Sequence, residues 1–435
     1  MSRITGKKYL RIEFSLASPL IIGCGKNENT DNDVLTNNLG IPYIPGTAIA
    51  GVIRSSVEDA GVDDDSDMDK VFGFIDGEKS RESSILFYDA NIVGSDRERF
   101  NISIRDSVAL DEYKTAKDGA KFDMEVLEPG VSFVTYAELN EDDDIKDRQG
   151  MFWEAIKSIW KAEIITFGGK STRGMGAVKV NSIKEATFDF SEKEDIKKWL
   201  KFNMYEDNVW EDVTVETRES SGIYVLDLKL KLLGGISIRR YSTNVEEADY
   251  EQLTVMSPDK EDEDIPVVPG TSWAGAFRHR IEELAGGSGK ALTDEWFGKV
   301  ETGGNGNKTR SRITFSESQI SGGAFKEITR NAIDRFTGGA ADGALYTEKT
   351  YYGGDTELKI VIKSDSIDEN FGNALAAAIA DLHGGYLAVG GLTAVGRGLF
   401  KVTAVNGANN IEEISAEELY KKICGILSEA GREAD

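Results

Sequence analysis

Pro45-Gly46-Thr47 returns as Pro269-Gly270-Thr271, at an offset of 224, and it does not return alone. Phe72-Gly73 recurs as Phe297-Gly298, Arg105 in SIRDSVALD as Arg330 in ITRNAIDRF, Asp118-Gly119 as Asp342-Gly343, and Gly168-Gly169 as Gly390-Gly391. All five landmarks keep their order, at offsets between 222 and 225. Self-similarity of this kind is the mark of a tandem duplication. A chain of 435 residues is also long for one hydrophobic core. The expected organisation is therefore one unit over 1–210, a second over 222–410 and a C-terminal helix over 411–435, with the junction near 205–222.

Each half is expected to run strand, helix, strand, strand, helix, strand. The opening strands are YLRIEFSL and YVLDLKLKLL, which alternate apolar and polar residues. Pro-Gly fixes a turn, and Thr47 or Thr271 is a competent cap for the helix that follows. AIAGVIRSSVEDA and SWAGAFRHRIEELA both keep their apolar residues on one helical face. A short helix ending in Phe-Gly comes next, then paired strands, a second long helix, a Gly-rich loop and a closing strand. This is the split βαβ pattern, giving an α+β chain of two tandem ferredoxin-like units.

Composition narrows the function without settling it. The net charge is −25, which by itself argues against nucleic-acid binding, because phosphate contacts need a basic surface. The acid, however, is concentrated in Asp63 to Asp69, Glu141 to Asp147 and Asp259 to Ile265, read as solvated loops, while GGKSTRG, SIRRYS and AFRHR are locally basic. Cys24 and Cys424 lie at opposite ends of the chain, so neither a disulfide framework nor a cysteine zinc site is expected, and a reducing, cytoplasmic setting fits. There is no signal peptide or membrane span in the pattern.

Two kinds of loop carry the candidate chemistry. GGKST is not a P-loop, since the required first glycine is Ile164. What remains is Gly-Gly-x-x-x-x-Gly-x-Gly before the last strand of each half, where glycine permits positive φ and close approach. Gly168, Gly169, Lys170, Ser171 and Arg173, with Gly390, Gly391 and Arg397, would suit a phosphate backbone; a tight turn needing glycine is the alternative. The acidic loops align at Leu35-Thr36 and Leu253-Thr254, matching Asp31 to Asp249 and Asp33 to Glu251. Such carboxylates would hold a divalent cation, orient a 2′-hydroxyl, or simply cap turns. His279 and His383 offer no paired acid–base arrangement.

The duplicated units resemble the RAMP superfamily of CRISPR-associated proteins, in particular the backbone subunits of type III effector complexes. The matching residues are the acidic loops before IPYIPGTAIAGVIR and IPVVPGTSWAGAFR, the Phe-Gly pairs, the Gly-rich loops and RNAIDRFTGGAADGALYTEKTYYGG, which looks like that family's hairpin "thumb". The first half departs in the middle of this segment, lacking DRFTG. The resemblance implies modified RRM-like units lined along a guide RNA, with thumbs wedged into the guide–target duplex. It implies target-RNA cleavage by an aspartate, falling on Asp31 and Asp249 with Asp33 and Glu251 as near alternatives, with a divalent cation, Mg2+ or Mn2+, held by Asp31 and Asp249. Two fused units fit a single-chain, type III-D-like fusion with guide RNA, complementary target RNA and other complex subunits as partners. The expected RNA contacts are the helix starts at Gly46, Thr47, Gly270 and Thr271, the helix arginines Arg54 and Arg278, the Gly-rich loops, and Arg105, Arg239, Arg240, Arg330 and Arg335. The alternative is a non-catalytic RNA-binding scaffold.

Overall fold

The computed structural model describes residues 4–23, 33–61, 65–76, 79–98, 100–110, 116–206, 209–214, 222–241, 248–256, 264–300, 308–408 and 411–430. The chain divides into two compact units, Met1–Ser171 with Met175–Ser221, and Gly222–Asp435 with Thr172–Gly174. Both mix helix and strand, as an α+β chain should.

In the first unit the elements are β1 (Ile4–Leu16), α1 (Gly46–Asp59), α2 (Asp65–Phe72), β2 (Ile85–Phe87), β3 (Ala90–Ile92), the long hairpin β4 (Ile102–Leu110) and β5 (Ala116–Leu127), β6 (Ser132–Asp142), α3 (Lys146–Lys161), β7 (Val178–Asp189) and α4 (Lys193–Trp199). β1 is central, antiparallel to β7 on one side and β6 on the other, and β2 and β3 both pair with β6. Its alternation is decisive: Leu10, Ile12, Phe14 and Leu16 are buried in one cluster with Ile49, Ile53 and Val57 of α1 and Phe152, Trp153, Ile156 and Trp160 of α3. Tyr9, Ala186 and Phe188 form a satellite cluster, packed by Trp199, Phe202 and Trp210 from the segment after β7.

The second unit repeats the plan with β8 (Ile223–Leu233), β9 (Arg239–Tyr241), β10 (Tyr250–Gln252), α5 (Gly270–Ala285), α6 (Gly289–Trp296), β11 (Ile313–Phe315), the hairpin β12 (Ala324–Ile333) and β13 (Ala340–Tyr352), β14 (Asp355–Lys363), α7 (Glu369–Gly384), β15 (Leu399–Val405) and α8 (Ala416–Ala430). The main sheet runs β11-β14-β8-β15. A smaller sheet joins Gly235–Ile236, β13, β10 and β9, with β12 on β13 and β10 parallel to β13. Trp273, Phe277 and Ile281 stand on α5 where Ile49, Ile53 and Val57 stand on α1. Burying each is worth roughly 1.5–3 kcal/mol. That outweighs the cost of about 1 kcal/mol for a mid-helix glycine, which both helices carry at matching positions, Gly51 and Gly275. α8 packs on α7 through Leu419, Ile423 and Leu427.

Some local expectations change. Thr47 and Thr271 are not the caps: Pro45 and Pro269 hold that position, the helices begin at Gly46 and Gly270, and both threonines are exposed in the first turn. Proline's fixed φ already suits the entry, and no side-chain cap is made. The acid-rich segments are only partly loops, since Asp65–Asp69 lie in α2 and Glu141 and Asp142 end β6. No helix among the described residues is long and apolar enough to cross a membrane.

Candidate nucleic-acid interface

The Gly-rich loops are the same object built twice. Gly168, Lys170, Gly174 and Gly176 have φ of 77, 56, 80 and 74°, and Gly390, Leu392, Gly396 and Gly398 have 92, 57, 81 and 73°. The amide of Gly169 donates to Ile21 O at 2.7 Å, and that of Gly391 to Ser237 O at 2.7 Å. A Cβ on Gly168 would stand 2.1 Å from Ile21 O, and one on Gly398 would stand 1.9 Å from Val389 O. Glycine is thus required by the packing of the loop against its own unit, and the second glycine's amide is consumed there. The turn reading fits these glycines better than an open phosphate cradle. Ser171–Arg173 form a short 3-10 turn with Arg173 exposed, and Lys170 Nζ lies 3.9 Å from the centre of the Phe122 ring.

The helix starts are equally close-packed. A Cβ on Gly46 would meet Phe87 O at 2.3 Å, and one on Gly270 would meet Phe315 O at 2.2 Å. The Gly46 amide donates to Asp89 Oδ1 at 2.7 Å, so a carboxylate already occupies the positive end of α1.

Arg54 and Arg278 take an internal role where phosphate contact was expected. Arg54 donates from Nη2 to Asp69 (2.9 Å), from Nη1 to Gly73 O (3.1 Å) and from Nε to Glu58 (3.3 Å). Arg278 repeats this with Asp294 (2.6 Å), Gly298 O (3.3 Å) and Glu282 (3.4 Å). The guanidinium fork ties each long helix to the end of the short one, where Phe-Gly reverses the chain with glycine φ near 77° and 78°. Arg278→Met should lower stability by about 1–2 kcal/mol, since the charged acceptor loses its donor at a half-exposed site. The expected result is a lower urea midpoint with RNA affinity of the folded chain unchanged; affinity lost at constant midpoint would return this arginine to the RNA surface.

The acidic loops are anchored alike. Leu35 N donates to Ile22 O, and Leu253 N to Ile238 O, both at 2.7 Å. Gly23 pairs with Val34 as Arg239 pairs with Gln252. The Leu-Thr alignment therefore holds in space, matching Asp33 to Glu251. Asp31 lies outside the described residues, as does Cys24. Asp33 is buried, and Glu251 sits 3.6 Å from Lys349 Nζ.

Asp249 is the informative one. It is exposed, and its Oδ2 accepts from the Thr347 amide at 2.8 Å, midway along the β12–β13 hairpin where Thr347 pairs with Thr329. It lines a cleft of about 500 Å³ with Arg239, Tyr250, Gly343, Ala344, Leu345 and Tyr346. Arg239 lies over the Tyr250 ring at 4.3 Å, and Tyr250 meets Tyr346 edge-on at 6.0 Å. The hairpin rises to a tip where Asp334 accepts from the Phe336 and Thr337 amides at 3.0 and 2.7 Å. The Thr337 amide and hydroxyl, then the Phe336 amide, hold the Asp334 carboxyl below the usual range. Arg335 is exposed in this tip, and Phe336 is 95% exposed. Apolar groups this open on an ordered hairpin suit stacking against bases.

The remaining arginines do not share one role. Arg105 is buried and held by Glu128 through two bonds of 3.0 and 2.7 Å, which makes it a structural ion pair. It also lies opposite Met124, whereas Arg330 lies opposite Tyr346, so the two are not equivalent rungs of their hairpins. Arg397 is buried against Glu348 at 2.8 Å. Arg240 pairs through its backbone with Glu251. His279 bonds within α5 to Glu283, and His383 Nε2 is buried 3.0 Å from Ile414 O. Neither faces the cleft.

Among the described residues no group of three or more His, Cys, Asp or Glu side chains could hold a metal ion. Asp249 supplies one free carboxylate oxygen. A hydrated divalent cation is held by so few protein oxygens only when phosphate completes its shell.

Two tandem α+β units, each with an anchored Leu-Thr segment and a long hairpin, repeat one architecture along the chain. A family model described as the RAMP superfamily matches residues 13–179 and 251–401, one stretch in each unit, and the chain belongs to that superfamily. In CRISPR systems this family binds CRISPR RNA. No curated protein matches the chain.

Proposed function

We propose that this chain is a guide-RNA-binding backbone subunit of a type III CRISPR effector complex, and that its two acidic loops cleave complementary target RNA. The observation that carries the reading is the exposed Asp249 carboxylate, oriented by the Thr347 amide in a cleft that also holds Arg239, Tyr250 and Tyr346. The strand orders β7-β1-β6-β2 and β15-β8-β14-β11 support ferredoxin-like, modified RRM-like units. Fusion of two such units in one chain favours a type III-D-like assembly.

In this reading the free Asp249 oxygen takes the proton of a target 2′-hydroxyl. The 2′-oxygen then attacks the adjacent phosphorus, the bond from phosphorus to the 5′-oxygen breaks, and water protonates the departing oxygen. Arg239 balances charge on the phosphate. A Mg2+ or Mn2+ shared between Asp249 and RNA phosphates, with Asp31 as its counterpart in the first unit, would supply further charge neutralisation. One observation also favours a scaffold without catalysis, because the Asp249–Thr347 bond is what a purely structural acid makes.

Coexpression with a guide array tests the binding half of the proposal. The purified chain is expected to carry RNA, seen as a high ratio of absorbance at 260 to 280 nm that ribonuclease abolishes. A preparation clean of RNA would end the proposal in both its forms.

A further inference from the structure

The register of the second unit brings six side chains to one face of the small sheet. Arg239 lies opposite Gln252, Tyr250 beside Glu348, and Arg330 opposite Tyr346. Glu348 is at the centre and is 1% exposed. Its Oε2 lies 2.8 Å from Arg397 Nη2, and Arg397 Nη1 also donates to Thr350 Oγ1 at 2.8 Å. That contact is an ion pair off the hydrogen-bond direction, so neither Glu348 oxygen receives a well-formed hydrogen bond. Arg239 and Arg330 stand further out, 3.7 and 3.8 Å from the same carboxylate, with 32% and 33% of their side chains exposed. One buried acid thus faces three guanidinia. A carboxylate is costly to bury unless paired. Arg397 meets that need, leaving the outer two at Coulomb distance and within reach of a ligand.

The first unit lacks this device. Flanked by Gly174 and Gly176 as Arg397 is by Gly396 and Gly398, the matching residue is Met175. The bridge Leu20–Leu127 corresponds to the pair Ile236–Tyr351, which matches Met124 to Glu348. Met124 and Met175 are 2% and 7% exposed in one apolar cluster. The fold therefore accepts two methionines where the second unit buries an ion pair.

We infer that Glu348 is a positioning residue: it fixes Arg239 and Arg330 as a paired phosphate clamp beside the Asp249 cleft, and the first unit grips RNA without it. A phosphodiester suits such a pair, since each guanidinium fork matches two phosphate oxygens. The inference rests on the RNA-binding reading above.

The test uses the full chain and a fluorescently labelled single-stranded RNA across a sodium chloride titration. The double substitution Glu348→Met/Arg397→Met copies the first unit's pair. It should keep the melting temperature near that of the unsubstituted chain, weaken binding roughly tenfold at low salt and reduce the log–log salt slope by about 1–2. Arg239→Ala/Arg330→Ala should cause the same loss, and all four substitutions together should cause no more, because they remove one unit of function. Glu348→Gln, which keeps the volume, is the second variant and should lower the slope as well. A folded variant with the original salt slope, or losses that add, overturns the inference alone. No RNA affinity in the unsubstituted chain overturns it together with the reading it rests on.

Discussion

Asp249→Ala is expected to erase one cut from the products of a complementary target RNA in the guide-loaded complex, and Asp31→Ala a different one. Loss of a positioned proton acceptor typically costs about 10²–10⁴ in rate, enough to remove a band from a gel. The Thr347 bond complicates an alanine result, because the substitution also frees the middle of the hairpin. Asp249→Asn resolves this: its amide oxygen still accepts from Thr347, but it no longer offers a basic carboxylate. Catalysis predicts that Asn and Ala both abolish the cut while guide binding persists. A structural acid predicts that Asn cuts like the original and Ala loses the hairpin. An unchanged pattern in every variant would leave the chain a scaffold.

The second large effect concerns stability. Gly398→Ala should destabilise the second unit by about 3 kcal/mol, since positive φ costs roughly 1–2 kcal/mol for a residue with a Cβ and forced overpacking adds 1–3. The Cβ would stand 1.9 Å from Val389 O, a backbone atom whose own residue donates back to Gly398 O at 2.9 Å. Gly396→Ala is the internal control: its φ is 81°, but nothing lies within 4 Å, so only the conformational part, about 1 kcal/mol, should appear. Urea midpoints of the two variants measure the difference. If Gly398→Ala instead kept its midpoint and lost RNA affinity, the loop would serve phosphate approach after all.

These two cases mark how far a linear reading reaches. The duplication, the amphipathic strands and the acid–Leu–Thr anchor were legible because each rests on local periodicity or on a short motif written twice. The anchor's two amide bonds, of 2.7 Å each, repeat in space what the alignment stated in letters. The arginines were not legible in the same way. Arg54 and Arg278 look alike to a phosphate seeker and to a helix clamp, because a guanidinium satisfies a carboxylate, a carbonyl and a phosphate with the same donors. Arg105 and Arg330 kept their spacing in sequence yet fall on different rungs, since register in a hairpin depends on the partner strand.

By itself, then, the order of residues determined that there are two α+β units, where their long helices and main-sheet strands run, and which loops bring acid near a glycine-bounded turn. Local geometry and burial patterning are short-range properties, and short-range properties survive in a string. Which charges are spent inside the fold and which remain for a ligand was decided only by the tertiary structure. Thr347-Glu348-Lys349 reads as three ordinary strand residues, and no letter announces that the middle one is buried against Arg397 while the amide of the first holds Asp249. Pairing between residues nearly fifty or a hundred positions apart depends on strand order and register, and so becomes visible only once the chain is folded.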